Sequence, residues 1–266
     1  MSEIDGTPNA ITDTSGAFVR AKALTKRYRP STTWGHWLSG VFSLPDIVAL
    51  DSVSFEIQPG LVGLVGPNGA GKTTLMRAIA GLITPDTGQL EVLGMPVDGS
   101  QAAFRRRVGY AVSGDRSHFW RLSAVENLAF FGALHGLSRA KSLEAAHAVL
   151  TLVGLENVKH RAVREYSTGM SQRLSVARGL LGEPECLLLD EPTRGLDPGN
   201  AERLRQFVLD ELVAARGIHV LWATHDPQEM KSLCTSLIVL NRGRVVADGS
   251  YNHVQSKLEQ VFECND

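Results

Sequence analysis

Apolar and polar positions divide the chain into stretches of period two and stretches of helical period. Phe18, Ala21 and Leu24 lead to Tyr28 in a first strand, and Val53, Phe55 and Ile57 alternate with polar neighbours in a second. Leu61 to Val65 is a short, wholly apolar run, the pattern of a strand covered on both faces. Leu75, Met76, Ile79, Ala80, Leu82 and Ile83 then keep helical spacing up to Pro85, which predicts a helix with one buried face. Leu90–Leu93 and Val108–Val112 predict further strands, and from about Arg121 to Leu181 the chain turns helical. Ser123 and Glu126 form a capping box ahead of Leu128, Phe130, Phe131 and Leu134, and Leu143, Ala146, Leu150 and Val153 mark a second amphipathic helix. Alternation of strand and helix resumes with strand Cys186–Leu189, helix Ala201–Ala215 and strand His219–Ala223. Leu204, Phe207, Val208, Leu212 and Ala215 fall on one face of that helix. Asp226-Pro227 opens another helix as cap and first turn, and Leu237–Leu240 with Arg244–Ala247 predicts a hairpin around Asn241-Arg242-Gly243 before a last short helix. The pattern is that of an α/β chain carrying a helical insertion.

Two stretches depart from it. Residues 1–16, rich in Ser, Thr, Asp and Gly, read as a disordered tail, unlike a secretory leader. Residues 30–47 hold Trp34, Trp37, Val41, Phe42 and Leu44 between two strands that a short turn would ordinarily join. Two readings of that aromatic link stay open: a loop packing on its own domain, or a short amphipathic helix facing a membrane or a partner. Composition then narrows the classes. The 266 residues, 43% of them apolar, can bury one substantial core, and no apolar run approaches the length of about eighteen that spans a membrane. With 27 basic and 28 acidic residues there is no basic field for nucleic acid, and no nucleic-acid partner is expected. Three cysteines without metal-ligand spacing argue against a disulfide framework or a zinc site.

The chemistry sits where strands end. Gly66-Pro67-Asn68-Gly69-Ala70-Gly71-Lys72-Thr73-Thr74 matches the phosphate loop G-x-x-x-x-G-K-[ST], with a strand before it and a helix after it. Its glycines let successive N–H groups converge at a helix N-terminus, a cradle for polyphosphate. Lys72 would reach the outer phosphates and the Thr73 hydroxyl would ligate a bridging Mg²⁺. Further along, four apolar residues deliver Asp190 and Glu191 to the carboxyl end of a buried strand, where open α/β sheets bind ligands. Asp190 suits Mg²⁺ and Glu191 suits activation of the water that attacks a γ-phosphate. The seven histidines other than His225 read as surface or packing residues, and Phe119-Trp120 reads equally as a docking patch or as ordinary packing.

Taken together, Gly66 to Thr73, Tyr166-Ser167-Thr168-Gly169-Met170, Leu187 to Pro192, Gly195-Leu196-Asp197 and Thr224-His225 resemble the ATP-binding subunits of ABC transporters in order and spacing. Gly169 precedes Asp190 by 21 positions and Glu191 precedes His225 by 34. The resemblance extends from about Phe18 to Gly249. It implies a P-loop NTPase core, a mixed sheet with flanking helices, joined by an antiparallel β lobe and an inserted α-helical subdomain. On this reading residues 17–250 form the ATP-binding domain, about 114–182 the helical subdomain, and 251–266 a short helix and tail. It further implies ATP and Mg²⁺ as ligands, Tyr28 stacking on adenine, and Asp197 in the loop that speaks across a dimer. His225 would be the switch residue on the γ-phosphate. Ser167, Thr168, Gly169 and Met170 would be a signature motif that closes on the phosphate loop of a second copy, in a homodimer or with a similar subunit. An integral-membrane transporter subunit is the implied partner, which would place the chain on the cytoplasmic face of the cell membrane. A soluble ABC-type ATPase of translation or DNA repair is the rival reading.

Three departures from the family pattern carry information. Thr168 and Met170 replace the commonest glycine and glutamine, a spelling that looks like the subgroup exporting lipids, polysaccharides, drugs or ions. The family's glutamine after Val108-Gly109-Tyr110 is absent, with Ser113 at its position, so Ser113 or Asp115 is the candidate to serve Mg²⁺ there. The aromatic link at 30–47 stands where cell-surface polysaccharide and teichoic-acid exporters carry an extended segment. Export of a polysaccharide, lipid or other cell-surface molecule is the resulting expectation.

Overall fold

The computed structural model describes residues 16–29, 45–98, 102–114, 118–231, 233–234 and 236–263. The tail before residue 16, residues 30–44 of the aromatic link at 30–47, Asp115 and Cys264 lie outside the described residues.

The described residues form two sheets. β1 (Val19–Tyr28), β2 (Ile47–Ile57), β4 (Thr87–Val92) and β5 (Met95–Pro96) form an antiparallel lobe in the order β2-β1-β4-β5. The second sheet runs β10-β9-β3-β8-β7-β6, from β3 (Leu61–Val65), β6 (Val108–Val112), β7 (Cys186–Asp190), β8 (His219–Thr224), β9 (Ser236–Asn241) and β10 (Arg244–Gly249). It is parallel from β9 to β6 and carries β10 antiparallel at its edge. β3 and β7 are buried at every position, which is why both read as unbroken apolar runs. Period two still sorts their side chains. Leu187, Leu189, Val220 and Trp222 face one core with the helical insertion, and Cys186, Leu188, Leu221 and Ala223 face the other with the β lobe.

The helices follow local signals closely at their starts and less closely at their ends. α1 (Lys72–Ile79) stops at Ile79 because Gly81 turns the chain with φ +67°. Leu82 is therefore exposed, whereas the spacing predicted a helix reaching Ile83. α2 (Ala102–Arg107) leads into β6. α3 (Ala124–Leu134) begins with the complete Ser123–Glu126 capping box, and α4 (Arg139–Leu152) is capped by Ser138. α3 packs through Ala124, Val125 and Leu128 and leaves Phe130 and Leu134 in solvent. α5 (Thr168–Leu180), capped by Ser167, runs out of the insertion and packs on β6 and β7 as well as on α4.

α6 (Pro198–Phe207) starts three residues before the predicted Ala201, because Asp197 caps it and Pro198 supplies its first turn. From Val208 to Ala214 its winding widens to a π-helix, and Ala215 is exposed instead of continuing the buried face. The short α7 (Pro227–Lys231) opens on Asp226, whose Oδ1 accepts from the Gln228 N–H at 2.9 Å. α8 (Tyr251–Glu263) closes the chain and buries Val254, Leu258 and Val261, spaced by four and three.

Candidate functional site

The site gathers at the carboxyl ends of β3, β7 and β8. β3 lies between β8 and β9, and its last residue, Val65, opens directly into the phosphate loop. A Cβ on Gly66 would stand 2.1 Å from the Leu240 carbonyl oxygen, so only glycine lets the loop leave the strand here. Gly69 and Gly71 hold φ of +79° and +106°, and the curl they permit ends at the first turn of α1. Asn68 and Gly69 form the exposed rim, while Ala70 and Lys72 are buried. Thr73 is exposed and Thr74 half-buried at the same helix end.

Lys72 curls back into this loop. Its Nζ donates to the carbonyls of Gly66 at 2.6 Å and Pro67 at 3.2 Å and lies 3.7 Å from Oε1 of Glu191. Burial lowers the Lys72 pKa, against the opposing pull of Glu191 and Asp190. β7 delivers the two carboxylates. Asp190 is 3% exposed; its Oδ2 accepts from the Tyr110 hydroxyl at 3.0 Å, and its buried Oδ1 has no hydrogen-bond partner among the described residues. Glu191 breaks from the strand with φ +55°, a left-handed conformation that a non-glycine residue adopts at a cost of about 1 kcal/mol or more. Its main-chain N–H donates to the Ala223 carbonyl at 2.9 Å, and Oε2 meets Nδ1 of His225 at 2.5 Å. Lys72, Glu191 and His225 thus form one chain of contacts from three separate strand ends.

The remaining predicted residues fall around that centre. Ser113 stands at the end of β6 with its Oγ on the main-chain oxygens of Asp190, at 3.1 Å, and Glu191. Its hydroxyl therefore bonds the backbone and not the Asp190 carboxylate. Tyr28 ends β1 part-exposed, with the Lys26 ammonium 5.8 Å from its ring. Ser167 and Thr168 are exposed at the N-terminus of α5, where the Ser167 hydroxyl accepts from the Met170 N–H at 3.3 Å, while Gly169 and Met170 are half-buried. No hydrogen bond or ion pair among the described residues joins these four to Lys72, Asp190, Glu191 or His225. Asp197 accepts from the N–H of Asn200 at 3.0 Å and from its side-chain amide at 2.6 Å, bonds that hold its carboxyl below the usual range.

Two participants carried no recognised signal in the sequence. Tyr110 belongs to a predicted strand, but its bond to Asp190 spans 80 positions. Glu229, in α7, buries its carboxylate against Thr193 Oγ1 at 2.6 Å, Arg205 Nε at 3.4 Å and Trp222 Nε1 at 3.4 Å. It ties the loop after Glu191 to α6 and β8. A carboxylate four residues after His225 was the available clue.

The sequence pattern of the ABC transporter family matches residues 50–194 of this chain. The chain belongs to that family. Among curated relatives, the Nod factor export ATP-binding protein I of Cupriavidus metallidurans is 42% identical over 205 residues, covering 77% of this chain and 67% of that protein. The ABC transporter ATP-binding protein NatA of Bacillus subtilis is 34% identical over 218 residues, 82% of this chain and 85% of that one. The doxorubicin resistance ATP-binding protein DrrA of Mycobacterium tuberculosis is 36% identical over 222 residues, 81% of this chain and 65% of that one. The fold matches cbiO1 of Clostridium perfringens, part of an ABC transporter complex, with a TM-score of 0.74 at 23% identity over 94% of this chain and 95% of that one. A dimeric ATP-binding cassette bound to ADP and Pi matches with a TM-score of 0.72 at 24% identity, over 87% of this chain and 98% of that one. The chain is an ABC transporter ATP-binding subunit, an ATPase of P-loop fold. Among the described residues, no helix is long and apolar enough to cross a membrane.

Proposed function

We propose that this ABC subunit binds Mg²⁺·ATP between two head-to-tail copies and powers export through a separate membrane-spanning partner. The observation that carries the reading is the convergence of Lys72, Asp190, Glu191 and His225 on the mouth of the phosphate loop. The loop N–H groups and Lys72 bind the phosphates, with Tyr28 against adenine. Glu191 takes a proton from the attacking water, and His225, in contact with it, meets the γ-phosphate.

The residues fit a magnesium ion. The unpartnered, buried Oδ1 of Asp190 is a hard anionic oxygen, and the Thr73 hydroxyl is exposed at the same loop. Asp190 and Thr73 would hold the ion, which supplies charge neutralisation across the phosphates. Among the described residues no three acidic, histidine or cysteine side chains gather as a metal site.

Two features support the partners. Ser167 to Gly169 offer a hydroxyl and main-chain N–H groups at the start of a thirteen-residue helix, and among the described residues no hydrogen bond or ion pair joins them to the chain's own Lys72. They suit the phosphates of a second copy, with Asp197 at the same face. Phe119, Trp120, Phe130 and Leu134, 43% to 69% exposed, form an apolar patch on the helical insertion, with the Phe119 and Phe130 rings 5.0 Å apart. That patch is the surface for the membrane subunit. Two relatives are named for export of Nod factor and for resistance to doxorubicin, which makes those two molecules the first cargoes to test.

Glu191→Gln tests the assignment. It is expected to lower ATP turnover at least about a hundredfold while nucleotide still binds, and to accumulate an ATP-dependent dimer in size-exclusion chromatography. Hydrolysis at the native rate would remove Glu191 from its role.

A further inference from the structure

The bond between Tyr110 and Asp190 is not needed to build the sheet. β6 and β7 are already joined in register, with Tyr110 opposite Leu188 and Val112 opposite Asp190. The Tyr110 hydroxyl therefore reaches one diagonal step along the sheet to touch Asp190, a span that calls for a long side chain. What it does there follows from the carboxylate. Asp190 is almost fully buried, and Tyr110 satisfies one oxygen while the other has no partner among the described residues. An unpaired carboxylate oxygen at that depth is costly unless a ligand meets it. Ser113, just after β6, bonds main-chain oxygens instead. Lys72 turns to Gly66, Pro67 and Glu191.

We infer that Tyr110 is a positioning residue for the metal: by holding Oδ2 it fixes the rotation of the Asp190 carboxylate and leaves Oδ1 as the oxygen offered to Mg²⁺. A carboxylate free to rotate would divide its time between the two oxygens and between orientations. The hydroxyl of Tyr110 acts through Asp190 and does not itself touch the ion.

The test uses the full chain with a non-hydrolysable ATP analogue and Mn²⁺ read by electron paramagnetic resonance. Tyr110→Phe keeps the ring, which packs against the core containing Leu188 and Leu221, and removes only the hydroxyl. Mn²⁺ affinity is expected to fall about tenfold, the low end of the effect of removing a ligand's supporting partner. Affinity for the analogue in EDTA stays unchanged. In an Asp190→Asn background the same substitution is expected to add nothing, because its route to the metal is gone. Mn²⁺ affinity within about twofold of native overturns the inference. Equal weakening with and without Asp190 overturns it too, since the hydroxyl would then act on the fold at large. The inference rests on the Mg²⁺·ATP reading of the site. That reading fails separately if the native chain does not bind the analogue at all.

Discussion

His118 provides a stability switch whose size follows from its surroundings. The ring is 8% exposed, with Nε2 3.0 Å from Ser175 Oγ and Nδ1 buried without a partner among the described residues. Burial first, and the Arg178 charge second, lower its pKa to about 4. Between about 4 and the ordinary 6.5 the unfolded chain takes up a proton that the folded chain refuses, so stability is full above pH 6.5 and falls as the pH drops. At 1.36 kcal/mol per pH unit below the unfolded value, the loss from this group between pH 7 and pH 5 is about 2 kcal/mol. In a chain of this size that is roughly 5 °C in melting temperature. His118→Asn removes the titration, so thermal unfolding followed by circular dichroism at the two pH values should show a smaller acid-induced drop in the variant, by roughly 5 °C. The variant's absolute stability is immaterial, because the measured quantity is the difference between the two pH values. An identical drop in variant and native chain would refute the argument, since some other group would then carry the acid response.

The other expectations concern charge at the site and behind it. Lys72→Ala removes the ammonium that, under the proposed function, binds phosphate oxygens; the loss of charge-assisted bonds should weaken ATP binding by about a hundredfold, measured by equilibrium dialysis. Native affinity would show that the loop N–H groups suffice. Glu229→Ala leaves Thr193, Arg205 and Trp222 without their shared acceptor and should cost about 3 kcal/mol in urea unfolding, and a loss below about 1 kcal/mol would mean that water replaces the carboxylate without penalty.

What the sequence made legible was short in range. The apolar runs at β3 and β7 predicted strands covered on both faces because parallel strands between helices have no solvated side. Ser123 and Glu126 announced α3 because the cap and its reciprocal partner are three residues apart. The phosphate loop was legible for the same reason: backbone curl, helix end and lysine lie within nine residues, Gly66 to Thr74. The end of α1 was less legible, because apolar residues keep helical spacing past the point at which the backbone changes. Leu82 continues the pattern of α1, yet the positive φ of Gly81 has already ended the helix. The buried face of α3 was not legible for a different reason. Its sequence, Ala124-Val125-Glu126-Asn127-Leu128-Ala129-Phe130-Phe131-Gly132-Ala133-Leu134, has too few polar residues to define an outer face. Only the neighbours decide which apolar side chains are covered, and they leave Phe130 and Leu134 out.

Long-range polar pairs were illegible on principle, and they are what turns a list of motif residues into a site. Periodicity tells which face of an element is apolar; it does not tell which hydroxyl on one strand meets which carboxylate on the next. Tyr110 satisfies the strand pattern of β6 as well as phenylalanine would, so nothing local distinguishes a packing aromatic from one that orients Asp190. Glu229 likewise reads as an ordinary helix residue until Thr193, Arg205 and Trp222 close around it. The motifs mark where nucleotide chemistry occurs, because the phosphate cradle and the acidic strand end are local devices. The groups that aim them come from other elements, and each replaces water around a buried carboxylate. Removing such a group should therefore alter affinity, metal response or stability while leaving every motif intact. That is the behaviour expected of Tyr110→Phe and Glu229→Ala, and it separates their roles from those of Lys72 and Glu191.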